Sequence, residues 1–171
     1  RAKGFIPAGE PYGGLGFPHA GNGGGETVSP DRLAVTGKNA VVDWVLVELR
    51  SAQAPAQVVA TRSALLERDG DVTDAEGRIR LLFPVPPGQY HVAVRHRNHL
   101  GVMSAAPVAL GPQEVLVDFT TEVTAAHGDD ARHVLPNGRL GLWAGNTVPD
   151  GVLKYTGSDN DRDPVLSAVG G

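Results

Sequence analysis

Short segments with alternating side chains run through the middle of this chain, and they constrain its fold more than any other feature. Val41–Arg50 (VVDWVLVELR) is apolar on both faces through its centre, as is typical of an inner strand. Tyr90–Arg95 alternates strictly, with apolar and polar side chains on opposite faces. Gly and Pro turns such as Pro86-Pro87-Gly88 separate the segments. The pattern predicts an all-β fold, an antiparallel β-sandwich.

Further segments fit the same architecture. Gln57–Arg62 is a short strand-like run, and Ala60–Glu67 fits either a helical turn or a strand edge. Arg78–Phe83 and Val115–Phe119 also alternate, which predicts two more strands. The side chains predicted to face the core are Tyr90, Val92, Val94, Ile79, Leu81, Phe83, Val115, Val117 and Phe119.

Composition restricts the class of protein. The chain of 171 residues is long enough for one domain with a hydrophobic core. Its net charge of −4, without a stripe of Lys and Arg, argues against nucleic acid as a partner. It has no cysteine, which excludes disulfides, thiolate metal sites and Cys nucleophiles. No apolar run approaches the roughly 20 residues that a membrane-spanning helix needs. The predicted parts are an arm (1–40), a core (41–121) and a segment that completes the same domain (122–171).

The N-terminal arm contains Pro or Gly every few residues, which prevents a regular helix or central strand. Its spaced apolar side chains are nevertheless unlike a flexible linker. Two interpretations stay open: an irregular arm packed along its own domain, or an extended arm that adds main-chain hydrogen bonds at a neighbour's sheet edge. The run Gly21–Gly25 lacks the Lys-Ser/Thr of a phosphate loop, so we expect a flexible surface turn. The candidate interface residues are Phe5, Ile6, Tyr12, Leu15 and Phe17.

The C-terminal part begins with a polar loop, Glu122–Asn137. Arg139–Trp143 and Val152–Thr156 are predicted edge strands. Asp163–Val169 is predicted to form a short helix, with Asp163 as its N-cap.

A dense cluster of carboxylate and amide oxygens lies in this C-terminal part, and hard cations such as Ca²⁺ need several oxygen ligands from a turning backbone. With Asp150 at position 5 of an EF-type loop and Gly151 at position 6, Asn146 falls at position 1. Val148 and Gly157 then occupy the ligand positions 3 and 12, where neither supplies a side-chain oxygen. The alternative is a solvated acidic turn. The candidate calcium ligands are Asn146, Asp150, Asp159, Asn160, Asp161 and Asp163.

A basic string, RHRNH, is the second candidate site. Imidazoles at positions 91, 96 and 99 could hold zinc, but strand geometry puts His91 and His96 on opposite faces, and no HExxH-type spacing is present. Hydrogen bonds to nearby loops, through Asp43 or Asp118, are the simpler interpretation. A third is contact with an acidic neighbour or an anionic glycan. The residues of this candidate ligand patch are His91, Arg95, His96, Arg97 and His99.

We predict no catalytic residues. There is no GxSxG elbow, and nothing indicates a cleft that holds two carboxylates at glycosidase separation. The sequence therefore predicts a protein that is not an enzyme.

The stretch PVPPGQYHVAVR (Pro84–Arg95) resembles a pattern of carboxypeptidase-regulatory-like, transthyretin-like and CnaB-type sandwiches. The strings RHRNHLGVM and KYTGSDNDRDP are similar to a recurrent module of secreted bacterial hemagglutinin- or adhesin-like surface proteins, whose C-terminal piece resembles a dockerin-type calcium loop. This resemblance covers roughly residues 5–171. It implies an Ig-like or transthyretin-like sandwich, secretion after removal of a signal peptide, and a role at the cell surface.

Two function classes follow. The first is a non-enzymatic structural subunit of an extracellular surface appendage or adhesin, which forms homopolymers through its arm by strand addition. The second is a carbohydrate- or ligand-binding module of a larger secreted protein. The expected partners are copies of the chain itself, glycans, or a host or cell surface. Calcium is the one cofactor that the sequence suggests.

Overall fold

The computed structural model describes residues 6–148, 150 and 152–169, and this part of the chain folds as an all-β protein with antiparallel sheets, as predicted. Six strands form one open sheet in the order β3-β2-β1-β4-β5, with β6 also paired to β4, and β7 pairs with β8. The elements are β1 (Val41–Ser51), β2 (Val58–Glu67), β3 (Val72–Thr73), β4 (Gly88–His96), β5 (His99–Met103), β6 (Val108–Leu110), β7 (His133–Val134), β8 (Leu140–Gly141), α1 (Pro30–Ala34) and α2 (Arg162–Val169).

Strand β1 lies at the centre of the sheet because both of its faces are apolar. Trp44 and Leu46 are buried on one face, and Val45, Val47 and Leu49 are buried on the other. β1 pairs antiparallel with β2 on one side and with β4 on the other. The prediction of an inner strand is confirmed.

Strand β2 resolves the ambiguous segment at Ala60–Glu67, which is a strand and lies between β1 and β3. The alternation predicted for β4 is confirmed for its inward side chains, whereas His91, which was expected to face outward, is buried. Tyr90, Val92 and Val94 all pack in the cluster around Val45, which joins the sheet to the chain that covers this face.

Two predicted strands, Arg78–Phe83 and Val115–Phe119, are wrong: neither segment belongs to a sheet. Both run as irregular chain because no strand pairs with them, and they cover the face of β1 that carries Val45. Ile79 is 67% exposed and Val115 is 45% exposed, so neither faces the core as predicted. The side chains of these segments that do pack against the sheet are Leu81, Phe83 and Val117.

Residues 6–28, which we call the arm loop, cover the opposite face. The arm loop is folded back on itself rather than extended. The Val28 N–H donates to the Ala8 carbonyl (2.8 Å) and the Glu10 N–H donates to the Glu26 carbonyl (2.9 Å), which joins its two ends. Of the two interpretations of the arm, the structure therefore has the arm packed along its own domain.

Two aromatic side chains of the arm loop complete the core on this face. Tyr12 is 0% exposed and Phe17 is 6% exposed, and their rings meet edge to face at 5.2 Å. The Tyr12 hydroxyl donates to the Trp44 carbonyl (2.8 Å), and the Trp44 indole N–H donates to the Pro7 carbonyl (2.9 Å). These two bonds run in opposite directions between arm loop and sheet, so each part holds the other in place.

The glycine-rich run forms an exposed turn at Gly21 and Asn22, as predicted, and the residues on either side of this turn lie against the edge of β2. The Thr61 N–H donates to the Ala20 carbonyl (2.9 Å), and the Ala20 N–H donates to the Thr61 hydroxyl (3.0 Å). At Gly23 the two backbones come so close that a Cβ atom would lie 2.2 Å from the Thr61 carbonyl oxygen. Glycine is required here for the close approach of two backbones.

The C-terminal part covers the outer edge of β5 on the other side of the sheet. The Leu100 N–H donates to the Trp143 carbonyl (2.8 Å), and the His127 N–H donates to the Met103 carbonyl (2.8 Å). Parts of two edges of the sheet, along β2 and along β5, are therefore paired with segments of the same chain.

The predicted elements of the C-terminal part are confirmed in part. The edge strand predicted at Arg139–Trp143 is present as the short β8, whereas Val152–Thr156 forms no strand. The predicted helix is α2, but Asp163 lies inside it and is not its N-cap. Instead the Asn160 side-chain oxygen accepts the Asp163 N–H at 3.0 Å.

Replacing Gly23 by Ala should weaken the contact of the arm loop with β2, because the new methyl group overlaps the Thr61 backbone. We expect the free energy of unfolding to fall by about 1–3 kcal/mol, the usual cost of overpacking. Urea denaturation followed by Trp fluorescence measures this change.

The matched control is Gly9→Ala in the same arm loop, where an added Cβ has no neighbour within 4 Å. We expect this variant to stay within about 0.5 kcal/mol of the parent chain. Equal stability of the two variants would contradict the packing of the arm loop on β2.

Candidate functional site

The basic string predicted as one ligand patch is divided by the sheet into separate environments. His91 is buried, and its Nδ1 lies 2.9 Å from the Ser104 carbonyl oxygen, so it belongs to the interior. Arg95 borders a cavity on the face covered by the arm loop. His96, Arg97 and His99 lie at the turn between β4 and β5. The structure brings only these last three residues together.

The β4–β5 turn places two imidazoles against each other. His96 and His99 are register partners, and their rings are nearly perpendicular with centroids 4.5 Å apart. Their Nδ1 atoms are 2.9 Å apart, and the Asn98 side-chain oxygen lies 2.7 Å from the His99 Nδ1. The Asn98 N–H also points at the His96 Nδ1, at 3.3 Å. Four polar groups thus converge on one small region.

Asp43 at the start of β1 anchors this turn. Its Oδ2 lies 3.2 Å from the His96 Nε2 and accepts from the Arg97 Nε and Nη2 at 3.1 and 3.0 Å. Its Oδ1 accepts the Trp44 N–H at 2.8 Å. Burial alone would raise the pKa of Asp43, but the bonds from His96 and Trp44 and the charge of Arg97 outweigh it and lower the pKa. Asp43 was one of the two partners expected from the sequence.

Asp118, the other expected partner, is used elsewhere. Its carboxylate accepts from Thr120 and Thr121 within its own loop. At the turn, burial lowers the pKa of His99 and the neighbouring His96 lowers it further, whereas Asp43 acts in the opposite direction. The His99 imidazole is therefore kept in its neutral form at neutral pH.

A solvent-open cavity of about 220 Å³ lies on the face of the sheet that the arm loop partly covers. Its floor is the backbone of β4 and β5, and its polar groups come from three different parts of the chain. The lining residues that matter are Arg50, Arg95 and His127.

A buried carboxylate lies beneath the two arginines of this cavity. Glu48 is 0% exposed, and its Oε2 accepts from the Arg50 Nε (2.7 Å) and Nη2 (2.5 Å). Its Oε1 is 3.7 Å from the Arg95 Nη1, and the Arg95 guanidinium lies 4.6 Å above the Phe17 ring. Two guanidinium groups and one carboxylate leave the cavity with net positive charge.

Sequence reasoning missed both Glu48 and Arg50. The available signal was their spacing, because residues two apart on a strand lie on the same face. Glu48 lies among apolar residues of an inner strand, and a buried carboxylate needs such a cationic partner.

In the acidic C-terminal segment, Asp161 organises the chain around it. Its Oδ1 accepts the Val148 N–H (2.9 Å) and its Oδ2 accepts the Lys154 N–H (2.8 Å). These bonds, from Lys154 first and then Val148, lower the pKa of Asp161. Both carboxylate oxygens of this candidate calcium ligand are therefore engaged by the backbone.

Most of the other candidate calcium ligands also bond to their own segment. Asp150 accepts the Val152 N–H (2.9 Å), and Asp163 accepts from the Asn160 amide (2.8 Å). Asp159 has a positive φ of 52°. Gly151, placed at position 6 of the predicted loop, lies outside the described residues.

Asn146 differs from the other candidates. It is buried, and its side-chain oxygen has no hydrogen-bond partner among the described residues. Within residues 6–148, 150 and 152–169, no three His, Cys, Asp or Glu side chains lie close enough together to hold a metal ion.

The candidate interface residues lie mostly inside the molecule. Tyr12 and Phe17 are core residues, and Ile6 is half-buried against the same cluster. Leu15 is 46% exposed. Phe5 lies outside the described residues. The arm residues expected to enter a neighbour thus pack in this chain's own core.

No helix in the described part of the chain has both the length and the apolar character needed to cross a membrane. Comparisons with protein-family models, with curated proteins and with solved structures gave no match to this chain. The resemblance to secreted surface modules therefore stays a prediction, and so does the role that it implies.

Proposed function

We propose that this chain is a non-enzymatic structural module of a secreted surface protein. The observation that carries the proposal is that segments of the same chain cover parts of two edges of its main sheet. The arm loop lies along β2, and segments around His127 and Trp143 lie along β5. Exposed edges pair readily with other strands, so a module that is crowded on a surface benefits from covered edges.

The use of charged side chains supports a structural role. Arg32 pairs with Glu67, and Arg50 pairs with Glu48. Arg132 donates to the carbonyl groups of Phe119, Thr121 and Thr124 and so holds a loop that has no strand partner. These guanidinium groups stabilise the module from within.

Self-association through the arm is part of this proposal, and the fold defines what form it must take. A folded arm loop does not add a strand to a neighbour. It can instead leave its own sheet and occupy the same place on a second copy, as in domain swapping. The contacts of Tyr12 and Phe17 would then be formed between two chains.

A cysteine pair tests arm exchange without interference, because the chain has no cysteine of its own. Ala20→Cys combined with Thr61→Cys joins two neighbouring residues, which are linked by a bond from the Thr61 N–H to the Ala20 carbonyl and by one from the Ala20 N–H to the Thr61 hydroxyl. If arms are exchanged, oxidation at high protein concentration should give covalent dimers and longer ladders on a non-reducing gel. Light scattering and negative-stain imaging of the parent chain should show the matching assemblies.

The matched control for this experiment is the single variant Ala20→Cys, which has no partner thiol within its own chain. If crosslinks form only within one chain at every protein concentration, the arm packs on its own module and is not exchanged between copies. The homopolymer prediction would then be wrong, although the module itself would remain.

The cavity at Arg50 and Arg95 favours a second candidate function, a binding module for anionic glycans. Its volume of about 220 Å³ is below the roughly 300–1,000 Å³ of drug-sized sites, so it suits one acidic sugar or one carboxylate group. Arginine presents a planar fork that binds carboxylates through two parallel hydrogen bonds. Glycan-binding modules commonly stack sugars on exposed aromatic rings. In this chain Trp143 and Tyr155 are exposed, whereas Tyr12 is buried.

Arg95→Gln tests this second candidate. In NMR titrations with glucuronate, we expect the parent chain to show shifts at the cavity and the variant to bind at least about tenfold more weakly, since a charge-assisted pair contributes 1.5–3 kcal/mol. Arg80→Gln, at an exposed arginine away from the cavity, is the matched control. Equal shifts with neutral glucose would contradict recognition of the carboxylate.

For the C-terminal segment we propose calcium as a ligand. The supporting observation is Asn146, whose buried side-chain oxygen has no partner within the described residues. Asp150 lies in the same segment, and only one of its carboxylate oxygens accepts a backbone N–H, so the other is a further candidate ligand.

Thermal melting with calcium and with EDTA tests this proposal. Calcium that binds only the folded chain should raise the melting midpoint as its concentration increases. Asn146→Ala should remove this rise, whereas Asp69→Ala, in a different acidic turn, should keep it. A midpoint that does not differ between calcium and EDTA would eliminate calcium from the account.

A further inference from the structure

The β4–β5 turn holds three ligand-type atoms at mutual distances that suit a common bound ion. The Nδ1 atoms of His96 and His99 are 2.9 Å apart, and the Asn98 side-chain oxygen is 2.7 Å from the His99 Nδ1. Tetrahedral ligands at about 2.0–2.1 Å from one zinc ion are separated by about 3.3 Å. The turn brings two imidazole nitrogens and one amide oxygen to within about 0.6 Å of this spacing, so small side-chain rotations complete the site.

The protons at this turn can be assigned from their partners. Because the Asp43 carboxylate accepts, the His96 Nε2 at 3.2 Å carries a hydrogen, and in the neutral ring its Nδ1 is then bare. A single proton on the His99 Nδ1 is left to serve both the His96 Nδ1 and the Asn98 oxygen. The Asn98 N–H, at 3.3 Å, also competes for the His96 lone pair.

We propose that this turn binds a divalent transition-metal ion of the zinc class between the two Nδ1 atoms, while the His99 proton moves to the Nε2 of the same ring, so that the imidazole stays neutral. His96 and His99 coordinate through Nδ1, Asn98 supplies its side-chain oxygen, and water fills the open position. Imidazole nitrogens select zinc, copper or nickel rather than calcium or magnesium. This site goes beyond the proposed structural role and does not depend on it.

The position of Asp43 is a second, independent feature of such a site. Metal-binding histidines usually donate their other ring N–H to a carboxylate, which fixes the ring and increases its basicity. His96 has this arrangement toward Asp43, while its Nδ1 faces His99. Arg97 bonds the same carboxylate oxygen, and its positive charge reduces the affinity.

The surroundings of the turn define what kind of metal site it is. His96 is 6% exposed, whereas Asn98 is exposed, so an ion can enter from the solvent side. With two imidazoles and one amide, the site lacks the four strong ligands of a structural zinc site. We therefore infer an exchangeable site whose open position is available to water or to a ligand of a partner.

Isothermal titration of the chelator-treated full chain with ZnCl₂ tests the proposal. We expect one binding event, which calcium does not displace. His99→Gln should abolish it, and Asp43→Asn should weaken it by about 10–100-fold, the usual effect of losing the outer carboxylate. His133→Gln, at an exposed imidazole beside Trp143, is the matched control and should leave binding unchanged.

A second measurement keeps the test independent of variant folding. In ¹⁵N-detected imidazole spectra of the parent chain, zinc should shift the Nδ1 signals of His96 and His99 and leave those of His91 and His127 in place. The proposal would be overturned by the absence of any heat of binding or by binding that survives His99→Gln. Shifts confined to other histidines would overturn it as well.

Discussion

Two hydrogen bonds hold the arm loop on the sheet, one from the Tyr12 hydroxyl to the Trp44 carbonyl and one from the Trp44 indole N–H to the Pro7 carbonyl, and the rest of the structure depends on this contact. Trp44 and Leu46 lie on a face of β1 that has no second large sheet to cover it. The Tyr12 ring fills this space. Its hydroxyl donates to a carbonyl of β1, which a purely apolar cover would leave buried without a hydrogen-bond partner. An irregular segment thereby covers this apolar face in place of a second sheet.

The same cover explains why charged residues occur in the middle of the sheet. Glu48 lies on the face under the arm loop, where an unpaired carboxylate would be strongly destabilising. Arg50 binds it directly, and Arg95 lies between it and the Phe17 ring. The open cavity arises where the arm loop ends and these two guanidinium groups reach the surface. Fold and candidate ligand site therefore share the same residues.

The strands that sequence reasoning predicted correctly are those whose pattern is local. The continuous apolar run of β1 and the alternation in β4 report which side chains are buried, and burial there follows from pairing at the sheet centre. Arg78–Phe83 alternates in the same way but has no strand beside it, and a strand requires hydrogen bonds from a neighbour that no local pattern encodes. Packing of the arm on its own domain was one of the two interpretations that the sequence allowed, but its contacts were not predictable, because Tyr12 meets Trp44 only through the tertiary fold.

The two candidate ion sites differ in whether their ligand atoms already have hydrogen-bond partners. In the C-terminal segment, composition predicted the oxygens, but backbone N–H groups satisfy both oxygens of Asp161. At the β4–β5 turn, sequence reasoning found the histidines but not their geometry. That geometry depends on the hairpin register, which sets His96 against His99, and on tertiary packing, which brings Asp43 next to His96. There the His96 Nδ1 and the Asn98 oxygen both lie close to one His99 Nδ1–H, and the Asn98 N–H reaches the His96 Nδ1 only at 3.3 Å. A cation at the turn therefore replaces one shared contact between two imidazoles, whereas in the C-terminal segment it competes with several satisfied hydrogen bonds.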